Sequence, residues 1–359
     1  MAKRVAILGL GMIGGSLGLA LSQSPGLEVA GYDRDPETSE KALQMGAVSR
    51  VGSLMELSAW ADCIFLCTPI SIIDDIAREV AKYCRPGCLL TDVGSTKQGI
   101  VEVFDSLAAT GVLGIGGHPM AGSERQGITG ADRYLFENAV YVLTPGKNTP
   151  RTAVEALSSL LGPTGAHIIT MGAETHDRLV ASVSHLPHLV ASTLVNMLRG
   201  QDEALALAAG GFRDTTRVAS GDPELWTDIL LSNRRLLAGQ LGSFIDLLSY
   251  LKTVLEEQRS GELMEFLTTS RGIRETLPSK RKGLTPTEQE LVCIVPDEPG
   301  IIGRLGSYLG ERGINIADIE ILRVREGDGG TIRIGVSREE DGPAAVDALL
   351  SHGIKAWLR

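Results

Sequence analysis

The sequence predicts an α/β doubly wound sheet, followed by an all-α helical domain and a small ferredoxin-like α+β domain. Short β-branched runs alternate with helical patterns through residues 1–171, which is typical of a mostly parallel sheet covered by helices. From Ala173 to Gln258 apolar residues recur at helical spacing, with no plausible strand. Residues 290–359 follow the order strand, helix, strand, strand, helix, strand. We therefore expect domains at 1–171, 172–278 and 290–359, with a linker at 279–289.

Short runs of β-branched and other apolar residues, bounded by turn residues, predict the strands of the first domain. They are Arg4–Leu8, Leu27–Tyr32, Cys63–Leu66, Leu89–Asp92, Val112–Gly116, Ala139–Leu143 and His167–Met171. Helical patterns such as Gly14–Gln23 and Thr149–Leu161 separate several of them. In such a sheet, cofactor and substrate meet at the carboxyl ends of the strands.

The second domain contains a long helical pattern from Pro223 to Gln258. Read as a single helix, these 36 residues would span roughly 54 Å, longer than a small domain can cover. The apolar positions nearly circle that helix, which indicates burial inside a bundle or between subunits. Gly239 and Gly242 would allow another helix to approach closely near its middle. We therefore expect a homodimer formed by the helical domains, with Trp226 near the junction between subunits.

The basic, proline-flanked segment around Pro278–Gly283 predicts the linker to the third domain. The elements expected after it are Glu290–Val295, Gly303–Glu311, Ile314–Val324, Thr331–Ser337, Ala344–Leu350 and Ile354–Leu358. Their order is that of a ferredoxin-like unit.

Charge and composition exclude several classes of protein. The 359 residues include 34 basic and 44 acidic side chains, a formal net charge of −10, which argues against binding to nucleic acid or to an anionic membrane surface. No apolar run is long enough to cross a bilayer. The five cysteines are an odd number in a chain that does not begin with a signal peptide, so we expect reduced thiols and a cytoplasmic protein. Their spacing does not suit zinc, and we expect no metal.

A glycine motif follows the first predicted strand and opens the first helix. Gly9 permits the tight turn, Gly11 lets the backbone approach a pyrophosphate, and Gly14 lets the helix pack on the strand. The helix start at Met12 and Ile13 then offers amides and positive dipole to phosphates. The motif makes the first domain Rossmann-type.

The end of the second strand indicates which dinucleotide the first domain binds. Asp33 can bind the adenosine ribose hydroxyls and would repel a 2′-phosphate, which favours NAD. Arg34 beside it could pair with such a phosphate, so NADP stays an alternative. Thr68 and Pro69 follow the Cys63–Leu66 strand and are expected beside the cofactor.

Three further segments carry polar residues that a hydrophobic core does not need. They are Thr91–Lys97, Gly116–Glu124, and His176-Asp177 with Ser184–His188. His118 lies between a glycine pair and a proline, next to the expected nicotinamide site, where its ring can act as hydrogen-bond acceptor or base. A structural histidine is the alternative. The three histidines of the last segment point in different directions around a helix, so they do not converge on a metal ion.

These motifs together resemble prephenate dehydrogenase, a family that decarboxylates prephenate oxidatively to 4-hydroxyphenylpyruvate in tyrosine biosynthesis. The resemblance rests on Gly9–Leu17, Asp92–Lys97, Gly117–Glu124 and His176–His188. It implies that His118 accepts the proton of the substrate hydroxyl, and that Ser95 hydrogen-bonds both the hydroxyl and His118. It also implies that His188 and Arg217 bind substrate, with Arg217 holding a carboxylate through its planar fork.

Three further residues are expected at the substrate site. Ser123 and Glu124 close the His118 motif. Asp214 lies three residues before Arg217 and could hold it by an ion pair, although a weak surface bridge is the alternative.

The third domain resembles an ACT domain, a regulatory module that binds amino acids. Gly300 leaves amides accessible at a predicted helix start, suited to a ligand carboxylate, while Asp297 and Asn315 could meet an α-ammonium. Tyrosine is the natural effector, with phenylalanine or another amino acid as alternatives. An ACT fold that only dimerises is also consistent with the sequence.

Three other functions compete with prephenate dehydrogenation. Arogenate dehydrogenase performs the same reaction on a substrate with an amino group in place of the keto group, and no residue in the sequence decides between them. A β-hydroxyacid dehydrogenase needs a catalytic lysine on the first helix of its second domain, but no lysine occurs between Met171 and Gly221. A non-catalytic amino-acid sensor would not need the intact glycine motif, Ser95 or His118.

Overall fold

The structure, a computed structural model, describes residues 3–122, 127–276, 289–296, 298–325 and 329–358. The chain divides into two compact units, Met1–Arg274 and Glu275–Arg359. None of the helices in these described ranges is long and apolar enough to cross a membrane.

An eight-stranded sheet forms the centre of the first unit, in the order β3-β2-β1-β4-β5-β6-β7-β8. Neighbouring strands are parallel except for the antiparallel pair β6 and β7. The strands are β1 Arg4–Leu8, β2 Glu28–Tyr32, β3 Arg50–Val51, β4 Cys63–Leu66, β5 Leu89–Asp92, β6 Leu113–Pro119, β7 Val140–Pro145 and β8 His167–Thr170. The predicted doubly wound sheet is confirmed, with the two-residue strand β3 added at its edge.

Helices cover both faces of this sheet, and each face has its own apolar cluster. Leu17, Phe65 and Tyr141 belong to one cluster, and Leu8, Ile64 and Phe104 belong to the other. The helices are α1 Met12–Leu21, α2 Pro36–Gln44, α3 Leu54–Trp60, α4 Ile73–Ala81, α5 Gln98–Ser106 and α6 Arg151–Leu161. Because β1 and β4 are neighbours whose connections leave in opposite directions, a crevice opens at their carboxyl ends.

The rest of the first unit is helical, as the sequence predicts. Its helices are α7 Ala173–Val180, α8 Leu186–Met197, α9 Asp202–Ala206, α10 Gly210–Thr216, α11 Pro223–Ser232, α12 Arg234–Glu256 and α13 Ser260–Thr276. A π-helical turn, Ala181–His185, joins α7 to α8. Pro187 lies at the start of α8, where its missing N–H does not interrupt the hydrogen bonds of the following turns.

The prediction of one continuous helix over Pro223–Gln258 is wrong. Asn233 separates α11 from α12, with φ −108° and ψ 17°. Its buried side-chain amide donates to the carbonyl oxygen of Asp177 at 2.8 Å and bonds with His185 Nδ1 at 3.2 Å. These long-range contacts hold Asn233 out of helical geometry, and the apolar periodicity carries no sign of them.

Helix α12 buries little of its apolar surface within one chain. Leu237 and Val254 are its buried residues, whereas Ile245, Leu248 and Leu255 are 53%, 49% and 60% exposed. The expectation of a buried helix therefore holds for a single chain only in part.

The second unit has the predicted strand and helix order. Its elements are β9 Gln289–Val295, α14 Ile301–Gly310, β10 Ile316–Arg325, β11 Gly329–Val336, α15 Asp341–Ser351 and β12 Lys355–Leu358. The antiparallel sheet has the order β10-β11-β9-β12. Leu291, Ile334 and Leu349 belong to the core between sheet and helices. The ferredoxin-like prediction is confirmed.

Candidate active site

The glycine motif between β1 and α1 has the geometry that its sequence predicts. Gly9 has φ +97°, a left-handed conformation that favours glycine, and a Cβ there would meet the carbonyl oxygen of Cys67 at 2.5 Å. A Cβ at Gly14 would meet the carbonyl oxygen of Gly9 at 1.9 Å. At Gly11 a Cβ would meet no described atom within 4 Å. The first two glycines therefore serve backbone packing, and Gly11 faces open space of the kind a phosphate needs.

The start of α1 is free to bind an anion. Gly11 caps the helix without a side-chain hydrogen bond, and the first amides of a helix, here those of Met12 and Ile13, have no partner within it. Across the crevice, Thr68 and Pro69 follow β4, and Thr68 Oγ1 is buried without a hydrogen-bond partner among the described residues. An unsatisfied hydroxyl and an uncapped helix start fit a dinucleotide pyrophosphate.

Asp33 joins the end of β2 to the glycine motif. Its Oδ2 accepts from Leu10 N at 2.8 Å and its Oδ1 accepts from Asp35 N at 3.0 Å. The carboxylate therefore orders the loop as well as offering oxygens at its half-buried edge. Arg34, beside it, is exposed.

His118 lies at the carboxyl end of β6, opposite Val142 of β7. The predicted strand ended two residues earlier, at Gly116, so the structure places His118 on the sheet and not in a loop. Its Nδ1 bonds with His176 Nε2 at 2.8 Å, and His176 Nδ1 bonds with Asp177 Oδ1 at 2.7 Å. Burial holds the pKa of His118 well below its usual value, and the positive charge of Lys97 and the nearby rings of His176 and His185 act in the same direction.

Asp177 connects the helical region to the sheet. Lys97 N donates to its Oδ1 at 2.7 Å and Gln98 N donates to its Oδ2 at 2.9 Å. The carboxylate therefore caps the start of α5, where a helix favours negative charge. His176 and Asp177 are 1% and 2% exposed, so this connection is shielded from water.

A buried ion pair lies behind His118. Lys97 and Asp92 are both fully buried and paired, and Lys97 Nζ also donates to the carbonyl oxygen of Gly117 at 2.7 Å. Asp92 accepts in turn from Gly94 N at 2.7 Å and from Gly117 N at 3.0 Å. Burial raises the pKa of Asp92 and lowers that of Lys97, while their mutual attraction opposes both shifts.

Ser95 is half-buried on the segment between β5 and α5. Within the described residues, the hydrogen bond of His118 goes to His176 and none joins Ser95 to His118. The expected bond between Ser95 and His118 therefore stays a prediction.

His188 lies against Trp226 on the helical side of the site. The two rings are stacked, with centroids 3.6 Å apart and planes 12° apart, and His188 Nδ1 is buried with no partner among the described residues. Gly221 makes room for the indole, since a Cβ there would meet Trp226 Nε1 at 2.4 Å. Burial lowers the pKa of His188.

The remaining predicted substrate residues lie in less defined positions. Arg217 follows the last residue of α10 and is exposed, as is Asp214, and an ion pair between them stays a prediction. Ser123 and Glu124 lie outside the described residues.

The sequence predicted no role for Lys97, His176, Asp177 or Asn233. The structure places the first two beside His118 and the other two behind them, since Asp177 bonds with His176 and Asn233 bonds with Asp177. The first three lie in the polar segments that follow the predicted strands or open the helical region. Their available signal was position, since Lys97 follows a strand and His176 and Asp177 open a helical region. Among the described residues no cluster of three potential metal ligands occurs.

The second unit has a cavity of about 390 Å³ at the start of α14. Gly300, with φ +87°, caps that helix and lines the cavity. Most other lining residues are apolar and include Val295, Ile301, Ile321 and Ile332.

Two other residues were predicted beside Gly300. Asn315 is exposed and is not among the residues that line the cavity in the described part of this unit. Asp297 lies outside the described residues.

Family models match three successive segments of the chain. The nucleotide-binding domain of prephenate dehydrogenase matches residues 17–170, its dimerization domain matches residues 172–269, and the ACT domain matches residues 290–352.

Similar proteins agree with these models. Prephenate dehydrogenase of Bacillus subtilis is 36% identical over 351 residues, covering 95% of this chain and 94% of that one. Cyclohexadienyl dehydrogenase of Zymomonas mobilis is 31% identical and covers 77% of this chain and 96% of its own length.

Solved structures extend the comparison. The crystal structure of Synechocystis arogenate dehydrogenase has a TM-score of 0.69 and 37% identity, covering 76% of this chain and 99% of that one. Prephenate dehydrogenase of Aquifex aeolicus, in complex with hydroxyphenyl propionate and NAD+, has a TM-score of 0.68 and 29% identity, covering 76% and 97%. Together with the glycine motif and His118, these similarities show that the chain belongs to the prephenate dehydrogenase family and carries a C-terminal ACT domain.

Proposed function

We propose that the protein catalyses the NAD-dependent oxidative decarboxylation of prephenate to 4-hydroxyphenylpyruvate, in tyrosine biosynthesis. The observation that carries the proposal is His118, half-buried at the carboxyl end of β6. Its pKa is held below the usual value, so the ring is neutral near pH 7 and ready to accept a proton.

The free cysteines of the first unit support a cytoplasmic location.

The residues of the site match what this reaction needs. Prephenate carries a hydroxyl and a hydride on one ring carbon and a carboxylate that leaves as CO₂. Aromatisation of the ring drives the reaction, so the enzyme mainly positions the substrate and accepts the hydroxyl proton. His118 takes that proton, Ser95 orients the hydroxyl, and Arg217 and His188 hold the rest of the substrate.

The cofactor in this proposal is NAD, which when bound supplies the hydride acceptor. The uncapped start of α1, the open space at Gly11 and the unsatisfied Thr68 hydroxyl would hold its pyrophosphate. Asp33 would bind the adenosine ribose and disfavour a 2′-phosphate. Arg34 is exposed beside Asp33, which keeps NADP as the alternative.

Arogenate is the alternative substrate, favoured by the similarity to Synechocystis arogenate dehydrogenase. A side-by-side assay with prephenate and arogenate, each with NAD and NADP, tests both choices. We expect the largest kcat/KM for prephenate with NAD. A larger value for arogenate would transfer the proposal to that substrate, and no turnover of either would overturn it.

Replacing His118 tests the proton acceptor. His118→Asn should lower kcat by about 10²–10⁴-fold, the range for one acid-base group, with KM for NAD little changed. In the unmodified enzyme, kcat/KM should fall as the pH drops through the pKa of His118. Because that pKa is lowered, the fall should occur below about pH 6.5, the ordinary histidine value. Near-normal kcat in the variant would exclude His118 as the acceptor.

Arg217 and Arg213 provide a matched pair for substrate binding. Both are exposed arginines, four residues apart. Arg217→Ala should raise KM for prephenate far more than it lowers kcat, because a carboxylate is held alike in the ground and transition states. Arg213→Ala is the control and should change neither value appreciably. Equal effects of the two variants would mean that Arg217 has no specific contact with substrate.

We further propose that the helical domains form a homodimer. The family match to a dimerization domain supports this, as do the exposed apolar side chains of α12 and α13, among them Ile245, Leu248 and Leu267. A Cβ at Gly239 or Gly242 would meet no described atom within one chain, which leaves room there for a second helix. The position of Trp226 near the junction between subunits stays a prediction.

Light scattering with a matched pair of variants tests the dimer. At micromolar concentration the unmodified chain should have twice the monomer mass. Two charges placed in the apolar face, by the double substitution Ile245→Asp and Leu248→Asp, should shift the mass toward monomer, because burying carboxylates is costly. Lys252→Asp, on a residue 75% exposed, should leave the dimer intact. A monomer mass for the unmodified chain would contradict the proposal.

The ACT domain is proposed to bind an amino-acid effector, with tyrosine as the first candidate. Its cavity of about 390 Å³ is within the range of small-molecule sites. The mostly apolar lining suits an aromatic side chain, and the helix start at Gly300 suits a carboxylate. Phenylalanine and a purely structural ACT domain are the alternatives.

Truncation near Gly283 tests this regulation, since residues 1–274 form a compact unit by themselves. The full chain should be inhibited by tyrosine, and the truncated chain should keep activity but lose most of that sensitivity. Because coupling between sites is reciprocal, tyrosine should also bind the full chain more weakly when substrate is present. Full sensitivity of an active truncated chain would place the inhibition at the catalytic site.

A further inference from the structure

A chain of hydrogen bonds runs from Asp177 through His176 to His118, and its direction can be derived from the donors at its inner end. Lys97 N and Gln98 N donate to the two oxygens of Asp177. A backbone N–H can only donate, and an ionised carboxylate can only accept. The bond of 2.7 Å between Asp177 Oδ1 and His176 Nδ1 therefore places a proton on Nδ1 of His176.

The proton on His176 Nδ1 also determines which nitrogen of His118 is protonated. A neutral imidazole with its proton on Nδ1 has a lone pair on Nε2. His176 Nε2 lies 2.8 Å from His118 Nδ1, so His118 Nδ1 donates the proton in that bond. His118 Nε2 then carries the lone pair, and within the described residues it has no hydrogen-bond partner.

We propose that His176 and Asp177 are positioning residues that hold His118 in its Nδ1–H tautomer, so that Nε2 is the atom that accepts the substrate proton. The role of Nε2 as proton acceptor rests on the proposed function, whereas the tautomer itself does not. In the proton transfer, the O–H bond of the substrate breaks, the proton bonds to Nε2, and the electron pair stays on the substrate oxygen. His118 becomes an imidazolium whose Nδ1–H donates to His176.

Asp177 also connects His118, through His176, to the chain segment that carries Ser95. Its carboxylate caps α5 at Lys97 and Gln98, immediately after Ser95 and Thr96. Its backbone oxygen accepts from Asn233, which holds α7 against the junction of α11 and α12. One buried residue therefore bonds with the partner of His118 and with the helix start that follows Ser95.

The alternative arrangement gives the opposite tautomer. A charged His176 would donate from both nitrogens, to Asp177 and to His118 Nδ1, and His118 would then carry its proton on Nε2. The charged and titratable groups around His118 include Lys97, His176 and His185, with Asp92 and Asp177 bound to them. Lys97 and Asp92 form a pair, and burial lowers the pKa of His185 to about 4.

Nitrogen-15 NMR of the full-length protein with labelled histidine distinguishes the two tautomers without substrate. His118→Asn identifies the signals of His118, and the spectrum is recorded near pH 8, where the ring is neutral. We expect a protonated Nδ1 and an unprotonated Nε2. A protonated Nε2 would overturn the proposal, whatever substrate the enzyme proves to use. The expected tautomer in a protein that turns over neither prephenate nor arogenate would uphold the positioning and overturn only the proposed function.

Two substitutions of similar size separate positioning from packing. The side-chain oxygen of His176→Gln can still accept from His118 Nδ1, whereas His176→Leu offers no acceptor. We expect His176→Leu to release the tautomer of His118 and to lower kcat about 10- to 100-fold, the scale known for partners that orient metal-binding histidines. His176→Gln should keep most of the kcat and most of the Nδ1–H tautomer of His118. KM for NAD should change little in either variant. Equal losses of kcat with an unchanged tautomer would mean that His176 only fills space.

Asp35 provides the control for the role of Asp177 as a helix cap. Its carboxylate accepts from Glu37 N and Thr38 N at the start of α2, so it also bonds with two backbone N–H groups at a helix start, but no histidine bonds to it among the described residues. Asp35→Ala should leave the tautomer of His118 unchanged, whereas Asp177→Ala should release it. Release by both variants would mean that loss of a cap alone disturbs His118, against the proposal.

Discussion

The buried carboxylate of Asp177 is the interaction on which the rest of the site depends. It accepts hydrogen bonds from two backbone N–H groups at the start of α5 and from Nδ1 of His176. Hydrogen bonds to a charged group contribute about 1.5–3 kcal/mol each, and the dipole of α5 adds to them. The same carboxylate would be costly to bury without these partners. Asp177 therefore fixes the position of the helical region against the sheet, at the place where substrate and cofactor must meet.

A second buried charge pair keeps the neighbourhood of His118 in order. Lys97 and Asp92 are fully buried and both bond with the backbone of Gly117, and Asp92 also accepts from Gly94 N. Such a pair adds little net stability compared with apolar residues, but removal of one partner typically costs 3–5 kcal/mol. Its cationic end also opposes protonation of His118. The pair thus supports function in two ways, because it orders the ends of β5 and β6 and keeps the ring neutral.

The two units distribute function differently. In the first, the chemistry depends on polar groups carried by strand ends and helix starts, which rigid elements hold in place. In the second, the cavity at Gly300 is mostly apolar and lies between a helix start and the sheet, an arrangement suited to binding without chemistry. The exposed apolar face of α12 and α13 is the surface to which the proposed homodimer assigns a role.

Much of this protein could be predicted from its sequence, because the determining signals are local. Alternating β-branched runs, the glycine motif and the change to helical periodicity after Met171 predicted the sheet, the cofactor crevice and the helical region. The left-handed backbone at Gly9 and Gly300 could be predicted because a single glycine is enough to indicate it. His118 and Ser95 could be predicted as site residues because polar residues at the ends of predicted strands are also a local signal.

What only the tertiary structure decided are the contacts between distant segments. Asn233 breaks a periodic helix because its amide is used by Asp177 and His185, and apolar periodicity does not record such partners. Strand β6 reaches His118 because β7 pairs with it. The direction of the hydrogen bonds from Asp177 to His118 depends on residues 58 and 80 positions apart in the chain. Composition and spacing supplied the groups, and the packing of helices against the sheet determined which of them bond.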